Sequence, residues 1–224
     1  MASWFGAAWV SLAVALAGPA GGPEAIVVDL AGLQPMSTTR RQAMTSEAAA
    51  LWKPHGAIFI WIDTAGPDSP LPHDALRVID DRFDVEGAAP ARADAGRSQS
   101  QARPLGAVVF LGGRETPERT IVLSTNAIVR TVDLVRWRDR LLTDLPADMR
   151  ERVVGRALGR VLAHEIGHYL LASRLHAPDG LMRAAFRADQ LAGLSRREFA
   201  MSEPLASRLR VRLAERRADR IARR

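Results

Sequence analysis

Apolar positions along this chain fall into two rhythms. Short, β-branched runs at residues 25–30 (AIVVDL), 57–62 (AIFIWI), 106–111 (GAVVFL) and 120–125 (TIVLST) each predict a strand. The second rhythm is helical. Over residues 147–171, Val153, Val154, Ala157, Leu158, Val161, Leu162 and Ile166 recur at three- and four-residue intervals, which predicts one long helix. Residues 202–223 place Leu205, Leu209, Leu213 and Ile221 on one stripe and arginines on the other, a final helix. An Ala/Met/Glu-rich stretch at 38–52 follows Ser/Thr cap candidates and stops at His55-Gly56, so it also reads as a helix. Residues 132–142 predict a short helix before Pro146, and 76–83 fit a helix or a strand equally well. The stretches 64–73, with three prolines and a glycine, and 87–104, small and polar, read as loops, the second one exposed. Strands followed by a long helix and a helical C-terminus imply an α+β domain.

Composition supports a folded chain, with 47% hydrophobic and 25% charged residues. The net charge is localised. Residues 207–224 hold eight arginines against Glu215 and Asp219, which equals the +6 of the whole chain. The rest is neutral, so the basic balance describes an arginine-rich C-terminal helix or tail at 207–224, not a nucleic-acid-binding body. No nucleic-acid partner is expected; that helix reads first as a solvated face, and contact with an anionic surface is the lesser reading. Cysteine is absent, which excludes disulfides, thiolate metal sites and cysteine nucleophiles.

The run at 7–17 (AAWVSLAVALA) ends in Ala15-Leu16-Ala17 and is followed by Gly18-Pro19-Ala20. A short apolar segment before small residues in an A-x-A arrangement predicts a signal peptide over 1–20, and with it a secreted or periplasmic protein.

The chemistry concentrates in one place. Three of the five histidines, His164, His168 and His176, lie within thirteen residues. His164 and His168 are four apart on a predicted helix, so both imidazoles face one point and reach a single zinc ion. Glu165 is rotated by about 100° from His164, too far to be a third ligand to the same ion and well set to act as a general base on a zinc-activated water. A catalytic zinc needs three protein ligands and an open position, and His176 is the nearest remaining histidine. Pro178 and Gly180 after it favour a turn that bends the chain back under the metal. Asp179, Asp189 and Glu198 are the alternatives if the third ligand is a carboxylate.

Residues 161–182 resemble the metzincin clan of zinc endopeptidases, whose members carry H-E-x-x-H-x-x-G-x-x-H/D and then a methionine in a tight turn beneath the zinc. The resemblance implies Zn2+ ligation by His164, His168 and His176, general-base catalysis by Glu165, and the Met-turn role for Met182. It also implies a mixed, twisted sheet beside the long active-site helix, a catalytic domain over 24–206 and a protein or peptide substrate. Two positions depart from the pattern. Leu171 stands where the motif has glycine and Arg174 where it has the third ligand, and His176 comes two residues late. The expected result is a helix that runs roughly half a turn further, or leaves differently.

The less specific readings stand beside these. Met182 is equally a core residue, and Tyr169 reads as packing rather than as a transition-state donor. His55 and His73 have no partner pattern, and Asp63 reads as a turn residue. A zinc peptidase with a carboxylate ligand, or a non-catalytic zinc-stabilised binding protein, is the alternative function.

Overall fold

The computed structural model describes residues 23–66, 68–81, 104–110, 116–137 and 139–223. The leader at 1–20 and the polar loop at 87–103 lie outside them. Five strands form one sheet in the order β2-β1-β3-β5-β4. The strands are β1 (Glu24–Gly32), β2 (Ala57–Ile62), β3 (Leu76–Asp80), β4 (Gly106–Phe110) and β5 (Pro117–Leu123). β1 runs parallel to β2 and β3, and β3 parallel to β5, while β4 alone is antiparallel, on β5. The sheet is therefore mixed, as expected, and residues 76–80 resolve to a strand.

Helix α1 (Thr38–Trp52) starts where the Ser37 hydroxyl accepts from the Arg40 N–H at 3.1 Å. It packs on β2 and along α3 (Ala147–Leu171), which in turn lies against β4 and β5. The two helices approach closely because Gly155 and Gly159 face α1, where a Cβ would collide with the Arg40 and Met44 carbonyls. From Val153 to Leu171 α3 is buried on nearly every side, wider than the stripe its periodicity shows.

That burial includes a charge. Arg160 is fully buried and donates to Glu47 of α1 at 2.8 Å, to the carbonyls of Gln190 and Leu191, and to Ser195 O at 3.0 Å. Arg196 closes on the other Glu47 oxygen. Leaving one partner of such a pair unmatched costs about 3–5 kcal/mol, so the network fixes how α1, α3 and residues 190–196 fit together. Trp52, also fully buried, donates its indole N–H to the carbonyl of Ala163 at 3.1 Å, next to the first histidine of the motif.

The helix expected over 132–142 is replaced by α2 (Thr125–Asp133) and a small hairpin of β6 (Arg136–Trp137) and β7 (Arg140–Leu141). The cause is non-local: Asp80, at the end of β3, accepts from the Thr125 N–H at 3.2 Å and starts the helix directly after β5. Asp139, at φ 67°, turns the hairpin.

Beyond α4 (Ala188–Ala192), α5 (Glu203–Ala222) forms as expected and packs on α3. Residue 207, where the arginine-rich segment begins, is inside this helix. Leu209 and Leu213 are buried as the stripe predicts, but Ile221 is 64% exposed, past the end of the contact. Several of the arginines face inward. Arg220 bonds the buried Glu24 at 3.1 Å, and Arg208 reaches Leu171 O at 3.4 Å. No helix among the described residues is long and apolar enough to cross a membrane.

Candidate metal centre

His164 and His168 lie on the last two turns of α3, both 7% exposed. Each ring is oriented by a backbone carbonyl. His164 Nδ1 is 2.7 Å from Leu181 O, and His168 Nδ1 is 2.7 Å from Ser173 O. A carbonyl only accepts, so both Nδ1 atoms carry the proton and both Nε2 atoms are left with a lone pair. Those Nε2 atoms face each other at 3.0 Å. Two neutral imidazoles so placed repel unless a cation sits between them. Two ligands to one tetrahedral ion would be about 3.3 Å apart.

The third histidine arrives through a sharp exit. α3 ends at Leu171, and Ala172 takes the left-handed conformation at φ 45°, ψ 51°. Ser173 N–H then returns to His168 O at 3.1 Å. The motif's glycine is missing from position 171, and the reversal still occurs, one residue later and on an alanine. His176 follows, exposed, its ring stacked at 5.4 Å from His164 and perpendicular to His168 at 4.9 Å. Ligand nitrogens of the three histidines all lie within 4.8 Å of one another, and among the described residues this is the only such group of metal-ligating side chains. The three histidines could hold one metal ion.

The chain then folds back. Ala177 bridges to Arg183, with Ala177 N–H donating to Met182 O at 2.7 Å. Gly180, at φ 70°, makes the turn, and a Cβ there would strike Ala200 O, so two constraints require glycine. Met182 is 1% exposed and rests on Gly167, between the histidine turns, while Leu181 supplies the carbonyl for His164.

Glu165 is 5% exposed and borders a cleft of about 670 Å³ together with the three histidines. Burial pushes its carboxyl up to about 8 in the metal-free chain. Gly106, opening β4, makes room for it, since a Cβ there would stand 2.8 Å from Glu165 Cγ. Burial likewise lowers His164 to about 4, against the Leu181 bond, and lowers His168. Both are neutral at neutral pH.

The carboxylate alternatives do not join the cluster. Asp189 is exposed and paired with Arg187 at 2.9 Å; Asp179 and Glu198 are exposed as well. Arg174, at the motif's third-ligand position, lies over the Phe110 ring at 4.7 Å and bonds Phe110 O, tying the loop to β4. Tyr169 faces away from the cleft, with Arg216 stacked on its ring at 4.9 Å. His55 packs edge-on to Trp52, His73 bonds Asp74, and Asp63 pairs with Arg41. Sequence reasoning missed Gly106, Arg183 and the two carbonyls. Only Gly106 had a signal, a glycine opening a strand, which often marks a close approach.

No family model, no curated protein and no solved structure matches this chain.

Proposed function

We propose that the chain is a zinc-dependent endopeptidase of metzincin-like build, with residues 24–206 as its catalytic domain and an exported destination. The observation that carries the reading is the convergence of three histidines and the buried Glu165 carboxyl on one open cleft. Two of the three imidazoles have their tautomer set for ligation by carbonyls, the arrangement usual behind metal-binding histidine.

A zinc ion held by His164, His168 and His176 would supply Lewis acidity at a substrate carbonyl and lower the pKa of a neighbouring water to about 7. Glu165 accepts a proton as water oxygen bonds to the peptide carbonyl carbon, and gives it to the amide nitrogen as the C–N bond breaks. Glu165 stands at the floor of the cleft beside the histidines, where one positioned carboxyl can serve both transfers. β4 supports a peptide substrate. It is the sheet's edge, it lines the cleft, and an edge offers backbone donors and acceptors to an extended chain.

The test is metal analysis of protein purified without chelator, with digestion of a broad peptide library by wild type and Glu165→Ala. Roughly one zinc per chain, with cleavage lost in the variant, is the expected result. Protein free of zinc, or cleavage that survives the substitution, overturns the proposal. Zinc without cleavage of any peptide favours the non-catalytic, zinc-stabilised alternative.

A further inference from the structure

Among the described residues, the cleft holds one charge without an ion-pair partner. Its ionisable lining is the three histidines, Glu165, Arg174 and Arg183. Arg174 is engaged with Phe110, and Glu165 is buried at the floor. Arg183 is different. Its Nε is buried without a hydrogen-bond partner, and its guanidinium makes no ion pair with any described residue. Half-buried arginines elsewhere in this protein, such as Arg150 and Arg220, close on carboxylates. Arg183 is also held in position, because its backbone bridges to Ala177, the residue after His176. It therefore stands beside the metal centre on a fixed strap, among apolar walls from Leu105, Val108 and Phe186.

A guanidinium is a planar fork of donors that matches the two oxygens of a carboxylate, and apolar surroundings strengthen the pairing. We infer that Arg183 is a specificity-determining residue, binding a carboxylate of the substrate close to the bond that is cut. The inference rests on the endopeptidase reading and names its substrate class: peptides with Asp or Glu near the scissile bond, or with a free C-terminal carboxylate at that distance. Both sources present the same chemistry.

The zinc-loaded full chain is assayed with peptides identical except for Glu, Gln or Lys at one position, each with a free or an amidated C-terminus. kcat/KM is compared for wild type, Arg183→Gln and Arg183→Glu, with circular dichroism to check folding. Wild type is expected to favour the carboxylate on the order of tenfold to a hundredfold, the range of a charge-assisted hydrogen bond. That ratio collapses toward one in Arg183→Gln and inverts toward Lys-containing peptides in Arg183→Glu. Sensitivity to the Glu/Gln exchange alone identifies a side chain, and sensitivity to amidation alone a C-terminus. Equal rates for carboxylate and amide in wild type, or a preference that survives Arg183→Gln, overturns the inference.

Fluorescence anisotropy with the same peptides on Glu165→Gln, which needs no turnover, separates the two claims. If no peptide is cleaved, the endopeptidase reading fails. An Arg183-dependent carboxylate preference in binding then still upholds the role of Arg183, and its absence removes it.

Discussion

The Met182 thioether lies against Gly167, on the helical turn that separates His164 from His168. No side chain fits between them. Gly167→Ala is therefore expected to displace Met182 and, with it, the adjacent Leu181 carbonyl that orients His164. Overpacking of this kind costs about 1–3 kcal/mol, and Met182→Leu, which conserves volume, costs less than about 1.5 kcal/mol. Urea denaturation and competition with a chelating dye read both effects. A Gly167→Ala protein with wild-type stability and metal affinity would contradict the contact.

Removal of His176 is expected to cost more metal affinity than the tenfold to about a hundredfold typical of losing an outer partner of a ligand. Glu198→Ala should leave affinity unchanged, since Glu198 is exposed and outside the cluster. Titration of the metal-free variants with zinc gives both values. The opposite ranking would return the third position to a carboxylate.

Ala172 holds a left-handed conformation at φ 45°, where a Cβ is strained. Ala172→Gly should relieve that strain and raise stability by about 0.5–1 kcal/mol, net of the added freedom of the unfolded chain. Thermal unfolding of the metal-free proteins measures it. A loss of stability would mean that the alanine is not strained here.

Acid should loosen the contact between α1 and α3. Burial by itself raises the Glu151 carboxyl, but bonds from Arg40 and Ser37 outweigh it and hold the folded pKa below the ordinary 4.5. The unfolded chain then takes up the proton first as pH falls. This stabilisation is fully present above about pH 4.5 and is lost as pH drops through the folded value. Glu151→Gln should flatten that part of the stability curve between pH 5 and 3, approximately, measured against wild type by urea midpoints. An unchanged slope would show that the pair does not contribute.

β1, β2, β4, β5, α1, α3 and α5 are legible in the sequence because each follows from local periodicity and end signals, whereas the pattern of β3 fits helix and strand equally. The histidine cluster is legible for the same reason, since His164 and His168 are related by one helical turn and His176 is close in sequence. Features set by distant partners are not legible. Asp80 starts α2 from 45 residues away, which moved a helix expected at 132–142. Arg160 has the look of an exposed position until Glu47 and the carbonyls at 190, 191 and 195 surround it. The exit from α3 comes one residue past the motif's glycine position, because glycine is only the cheapest residue for a left-handed turn. Here the bonds around His168 and Tyr169 hold an alanine in it.

The bridge between Ala177 and Arg183 closes a small loop, and that loop divides the centre into two parts of different kind. α3 contributes His164, His168 and Glu165 on a rod locked into the interior. Residues 173–183 contribute His176, both carbonyls behind the other two histidines and Arg183, which has no ion-pair partner among the described residues, all on one short return of the chain. Donor strength, ring orientation and selectivity can thus drift together by changes in a single eleven-residue cassette, while the rod stays as it is. The exposed stretch 174–176 is open to such change without repacking, whereas Gly180 and Met182 are as fixed by their neighbours as the helix itself.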